Sequence, residues 1–65
     1  MDNVLLNKLP KKYHNYIKNI YKEGKRYSCV IEFEDGFSRS IGEWNFTELK
    51  AYIKEIIEIN RYTEW

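Results

Sequence analysis

The sequence predicts an α+β fold: an antiparallel β-hairpin packed on an amphipathic C-terminal helix, with an N-terminal helix ahead of it. Three observations predict it. Tyr27-Ser-Cys-Val-Ile-Glu-Phe33 is rich in β-branched and aromatic residues, breaks at Asp35-Gly36 and resumes as Phe37–Ile41, the pattern of a hairpin. Leu49, Tyr52, Ile53, Ile56 and Ile57 recur at the spacing of a helical stripe. The chain has 65 residues, 43% of them hydrophobic, which suffices for one small core in a single domain, residues 1–65.

The hairpin is the organising element. Asp35-Gly36 supplies the two positive-φ positions of a type I′ turn. A two-residue loop sets Glu34 opposite Phe37, Glu32 opposite Arg39 and Val30 opposite Ile41. On the other face it sets Phe33 opposite Ser38 and Ile31 opposite Ser40. Tyr27, Cys29, Ile31 and Phe33 then form the core face, where the two serines leave room for a helix. Val30, Phe37 and Ile41 surround a Glu32–Arg39 pair on the second face, which two helices are too few to cover.

The flanking segments follow from their punctuation. Residues 1–9 are a short leader whose Leu5, Leu6 and Leu9 either pack down as a cover or fray. Pro10 suits the first turn of a helix. From Leu9 the apolar positions Tyr13, Tyr16, Ile17, Ile20 and Tyr21 keep helical spacing up to Gly24. The same run also reads as a strand that widens the hairpin to three strands over residues 15–21; helix is the preferred reading and both stand. Lys22-Glu-Gly-Lys25 connects into the hairpin. Beyond Gly42-Glu43, Asn45 is a helix cap, Glu48 completes a capping box, and Trp44 with Leu49 forms a hydrophobic staple. That helix runs over residues 46–60, and residues 61–65 are an aromatic tail.

Composition excludes several classes. Cys29 is the sole cysteine, so there is no internal disulfide and no multi-cysteine zinc site, as expected of a reducing cytoplasm. Met1-Asp-Asn-Val-Leu-Leu-Asn-Lys lacks the apolar run of a signal peptide or membrane span. A net charge of +1 with 32% charged residues favours neither nucleic acid nor acidic partners. A core this small supplies roughly 3–5 kcal/mol, so a second copy of the chain or another partner is expected to help hold it.

Chemistry-bearing groups are sparse. His14 reads as a solvated surface histidine with no second catalytic group beside it. Cys29 falls on the core face, where a thiol behaves as a small hydrophobe. Glu32, Glu34 and Asp35 cluster at the hairpin tip, but turn chemistry accounts for Asp35 and Arg39 for Glu32. No phosphate loop and no metal-spaced His/Cys set is present. The reading is therefore of a protein that is not an enzyme and takes no metal or cofactor.

Two binding readings remain. The second hairpin face, with Val30, Glu32, Phe37, Arg39 and Ile41, is a candidate protein contact, with Phe37 as its anchor. The 17% aromatic content, six Tyr and two Trp, suits such a surface. Lys11, Lys12, Lys18, Tyr21, Lys25 and Arg26, basic side chains interleaved with aromatics in the first half of the chain, are the candidate contacts to a nucleic acid.

The segment from Tyr16 to Ile57 resembles the AP2 and integrase arm-binding modules. The residues that carry the likeness are Gly24-Lys25 before Tyr27, the spaced Tyr27, Cys29 and Ile31, and Ile41-Gly42-Glu43-Trp44 leading into a helix with Ala51 and Tyr52. The resemblance implies a three-stranded sheet whose open face binds DNA, through Asn19, Tyr21, Ser28, Val30, Glu32, Ser38 and Ser40. None of these is basic and one is acidic. In size and style the chain is also similar to small phage- or mobile-element-encoded inhibitors of host enzymes, such as anti-CRISPR proteins. The expected function is non-catalytic binding of a protein, such as a nucleic-acid enzyme, as inhibitor or adaptor in the cytoplasm. DNA binding of the AP2 kind is the alternative.

Overall fold

The computed structural model describes the backbone of residues 1–62 and the side chains of residues 1–59. Its elements in chain order are α1 (Asn3–Asn7), α2 (Lys11–His14), β1 (Ile17–Glu23), β2 (Arg26–Glu32), β3 (Ser38–Glu43) and α3 (Phe46–Tyr62). The strands form one antiparallel sheet in the order β1-β2-β3, and the helices pack on it to give the α+β arrangement. The expected tail lies partly in α3, and residues 63–65 lie outside the described residues.

The helix expected over residues 10–23 is confined to Lys11–His14, entered from Pro10; the strand reading holds from Ile17. The reason lies in a bulge. Ile17 pairs with Ile31 but Asn19 pairs with Val30, so the register shifts at Lys18. One extra residue lets Ile17 and Ile20, three apart, point to the same face, and both are buried. A bulged strand thus mimics helical spacing. The β1–β2 loop is Gly24-Lys25, with a positive φ of 62° at Gly24 alone, as a type II′ turn requires.

The β2–β3 turn differs from the expected type I′ loop. Only Gly36 has positive φ, 87°, and Asp35 does not. Phe33 N–H donates to Phe37 O at 2.8 Å, and Gly36 N–H donates to Phe33 O at 2.9 Å. Asp35 Oδ1 accepts from Phe37 N–H at 3.0 Å. The loop is therefore the three residues Glu34-Asp35-Gly36, a type I turn followed by a left-handed glycine. The left-handed conformation costs an ordinary residue roughly 1–2 kcal/mol, and this loop asks it of glycine alone.

The extra loop residue moves the register by one. Cys29 faces Ile41, Val30 faces Ser40, Ile31 faces Arg39 and Glu32 faces Ser38. With a side-chain period of two, such a shift turns every β3 residue to the opposite face. Ile41, not Ser38 or Ser40, meets the core side.

That core consists of Ile17, Ile20, Cys29, Ile31 and Phe33 from the sheet, Leu49, Ile53, Ile56 and Ile57 from α3, and Leu5, Leu9 and Tyr13 from the N-terminal segment. The leader is thus part of the core. Asp2 caps α1 through Val4 and Leu5 N–H, and its own N–H donates to Ile20 O at 2.8 Å, meeting the outer edge of β1 at that residue. Tyr13 O–H donates to Glu58 Oε1 at 2.9 Å, tying α2 to α3. Asn45 Oδ1 accepts from Glu48 N–H at 2.8 Å as expected of the cap. Trp44 is 72% exposed, so the staple with Leu49 is not made, while Phe46 packs edge-on against Tyr27 at 5.7 Å.

A β-branched residue at Gly36 would have to hold a φ of 87°. Gly36→Val is expected to lower unfolding stability by more than about 1 kcal/mol, measured by denaturant titration. An unchanged midpoint would refute the turn assignment.

Candidate binding surface

Alternation along the strands, shifted once at the Lys18 bulge, separates the sheet into a helix-covered face and an open one. The open face carries Asn19, Tyr21 and Glu23 from β1, Arg26, Ser28, Val30 and Glu32 from β2, and Ser38, Ser40 and Gly42 from β3. Lys18, displaced by the bulge, joins it: its Nζ lies 3.3 Å from Glu32 Oε2. Both partners are exposed, so the pair orients the two side chains and contributes at most about 1 kcal/mol.

Two features preset this face. Gly42 leaves the space in which the Arg26 guanidinium lies: a Cβ at residue 42 would stand 2.6 Å from Arg26 Nε. The arginine is therefore laid across β3, its planar cation on the surface. Beside the half-buried Val30, the Oδ1 of Asn19 is buried and accepts no hydrogen bond among the described residues. Around these lie hydroxyls of Ser28, Ser38, Ser40 and Tyr21. The face is a sheet of small donors and acceptors with charges of both signs near its margins.

Of the expected protein contacts, Val30 and Glu32 lie on this face, whereas Phe37, Arg39 and Ile41 lie on the helix-covered side. The five residues are not one surface, and the expected Glu32–Arg39 pair is replaced by Lys18–Glu32. The one-residue register shift is the whole reason. Phe37 is nonetheless 60% exposed, its ring stacked at 6.5 Å on Phe33. With Phe33, Arg39, Tyr52, Glu55, Ile56 and Ile59 it borders a cleft of about 350 Å³ between the hairpin tip and α3.

The candidate nucleic-acid contacts divide as well. Lys18, Tyr21 and Arg26 belong to the open face, and Lys25 sits in the β1–β2 turn at its end. Lys11 and Lys12 belong to α2, on the helix side. Lys12 Nζ lies 3.8 Å from Glu58 and over the Tyr13 ring. The seven positions implied by the AP2-like resemblance all fall on the open face.

The titratable groups singled out in the sequence lie apart among the described residues. His14 is half-buried rather than solvated, and its Nε2 donates to Leu9 O at 3.0 Å, which holds α2 against the leader. Cys29 is fully buried, and burial pushes its thiol up to about 12. Glu32, Glu34 and Asp35 do not converge: no group of three His, Cys, Asp or Glu suited to a metal occurs among the described residues.

Burial of Cys29 sets a pH dependence. The folded chain keeps a proton that the unfolded chain loses above its ordinary value of 9.0. Stability is then full below that pH and falls as pH rises towards 12. Thermal melts between pH 8 and 10.5 are expected to show the loss for the native chain and less of it for Cys29→Ala. An aromatic disulfide reagent should label Cys29 only on unfolding; rapid labelling of the folded chain would contradict its burial.

No family model, curated protein or solved structure matches this chain.

Proposed function

We propose that this chain is a non-catalytic binding domain, an inhibitor or adaptor, that engages a protein partner through the open face of its sheet. One observation carries the reading: among the described residues all helices pack on one side of the sheet, and the other side is left without a covering element although it bears preset side chains. Tyr21 and Arg26, residue types enriched at interfaces, share this face with the apolar Val30, and Lys18, Glu23 and Glu32 supply further charges. Its charges nearly balance, which suits a protein surface better than a polyanion. The likeness to phage-encoded inhibitors of host enzymes rests on size and composition alone.

DNA binding is the second reading, favoured by a specific observation. Residues 17–23 are a strand, so the chain has the three strands and back-packed helix that the AP2-like resemblance requires. Lys18 and Arg26 give that face two cations, and Lys25 stands at its end.

The open face lies away from the core, so Val30→Glu is expected to leave the melting temperature nearly unchanged and to abolish capture of the partner by the immobilised chain. Phe37→Ser, on the opposite side, should retain capture and lose roughly 0.5–1.5 kcal/mol of stability with the Phe33 stack. Capture that survives Val30→Glu would move the site off the sheet. Fluorescence anisotropy with short DNA duplexes separates the two readings. Binding that weakens steeply with salt, and less steeply in Arg26→Ala, would replace the protein reading with the nucleic-acid one.

A further inference from the structure

The two edges of the sheet are treated differently. The outer edge of β1 is met at one point by the N-terminal segment, through Asp2 N–H and Ile20 O. Among the described residues the outer edge of β3 has no such bond. Glu32 N–H points to Tyr16 O across the β1 side, and Phe33 N–H points to Phe37 O across the β3 side. Alternation then directs the N–H and C=O groups of Ser38, Ser40 and Gly42 away from β2. None of them bonds to backbone among the described residues. The strand holds no proline or lysine to discourage pairing.

We propose that β3 pairs antiparallel with β3 of a second copy of this chain, giving a two-fold, six-stranded sheet. One register is self-complementary. With Ile41 opposite Ile41 of the second copy, Ser40 and Gly42 exchange both backbone hydrogen bonds with Gly42 and Ser40 across the axis. Arg39 then stands directly opposite Glu43 of the second copy, twice by symmetry. Neither Arg39 nor Glu43 has an ion pair within the chain among the described residues. Moving the axis to Arg39 would oppose two arginines, which is unfavourable. Ile41 is half-buried against the core and lies on the helix side, so the pairing continues the core across the axis.

Two further features fit. α3 packs across β2 and β3, and its Tyr52–Glu55 flank borders the cleft beside the β3 edge. Pairing of the edges sets these flanks of two α3 helices towards each other on one surface of the sheet. On the other surface the two open faces become continuous.

Sedimentation equilibrium from micromolar to millimolar concentration tests the pairing. A monomer–dimer equilibrium is expected for the native chain, and a monomer throughout would overturn the proposal. Ser40→Pro removes an N–H that only the edge uses. A folded, monomeric variant supports the edge, and unchanged dimerisation excludes it. Charge variants test the register independently of that substitution. Arg39→Glu and Glu43→Arg should each raise the dissociation constant about tenfold or more, and the double variant Arg39→Glu/Glu43→Arg should restore it. Failure of the double variant to restore dimerisation would reject this register. Loss of the dimer in Arg39→Glu, whose side chain lies on the helix side of the sheet, would leave capture by the open face of the monomer unaffected, so the two proposals fail separately.

Discussion

The hydrogen bond from Phe33 N–H to Phe37 O sets the register of β2 against β3, and the placement of every β3 side chain depends on it. Closing the loop at these residues admits Glu34 as a loop residue and leaves the left-handed conformation to Gly36. A loop shorter by one residue would turn Ser38 and Ser40 into the core and Ile41 out of it. Fully burying an isoleucine side chain contributes about 1.5–3 kcal/mol, of which the half-buried Ile41 gains a part, and a left-handed aspartate costs roughly 1–2 kcal/mol. Both terms favour the longer loop.

The Lys18 bulge does the corresponding work at the other side of the sheet. It brings Ile17 and Ile20 onto the core face together and leaves Lys18 and Asn19 to the open one. The N-terminal segment then completes the core. Leu5, Leu9 and Tyr13 are buried beside α3, and the Tyr13–Glu58 hydrogen bond fastens them. A small chain thereby recruits nearly its whole length into one cluster. The same segment bonds to the outer edge of β1 at Ile20, and no such bond meets β3 among the described residues.

This one-sided construction separates the residues that hold the fold from those free to bind. The apolar side chains that stabilise the domain lie between sheet and helices. Arg26, Asn19, Val30 and the serines lie on the other face, where their identities are not dictated by packing. Arg26 is the exception in one respect, since it depends on the missing Cβ of Gly42. A binding role fits such a face because altering it costs the core little.

The sequence by itself determined the existence of the hairpin, the cap and apolar stripe of α3, and the burial of Cys29, because these rest on local spacing and on residue type. It held Val30 and Glu32 on the open face, since β2 alternates without interruption. Tertiary structure alone decided the state of residues 17–23 and the faces of Phe37, Arg39 and Ile41. Inward positions three apart are shared by a helix and a bulged strand, so spacing cannot tell them apart until β2 supplies the pairing partner. A loop of two or three residues around Asp35-Gly36 is likewise a local near-tie. It is resolved by which register places Ile41, rather than a serine, against the core.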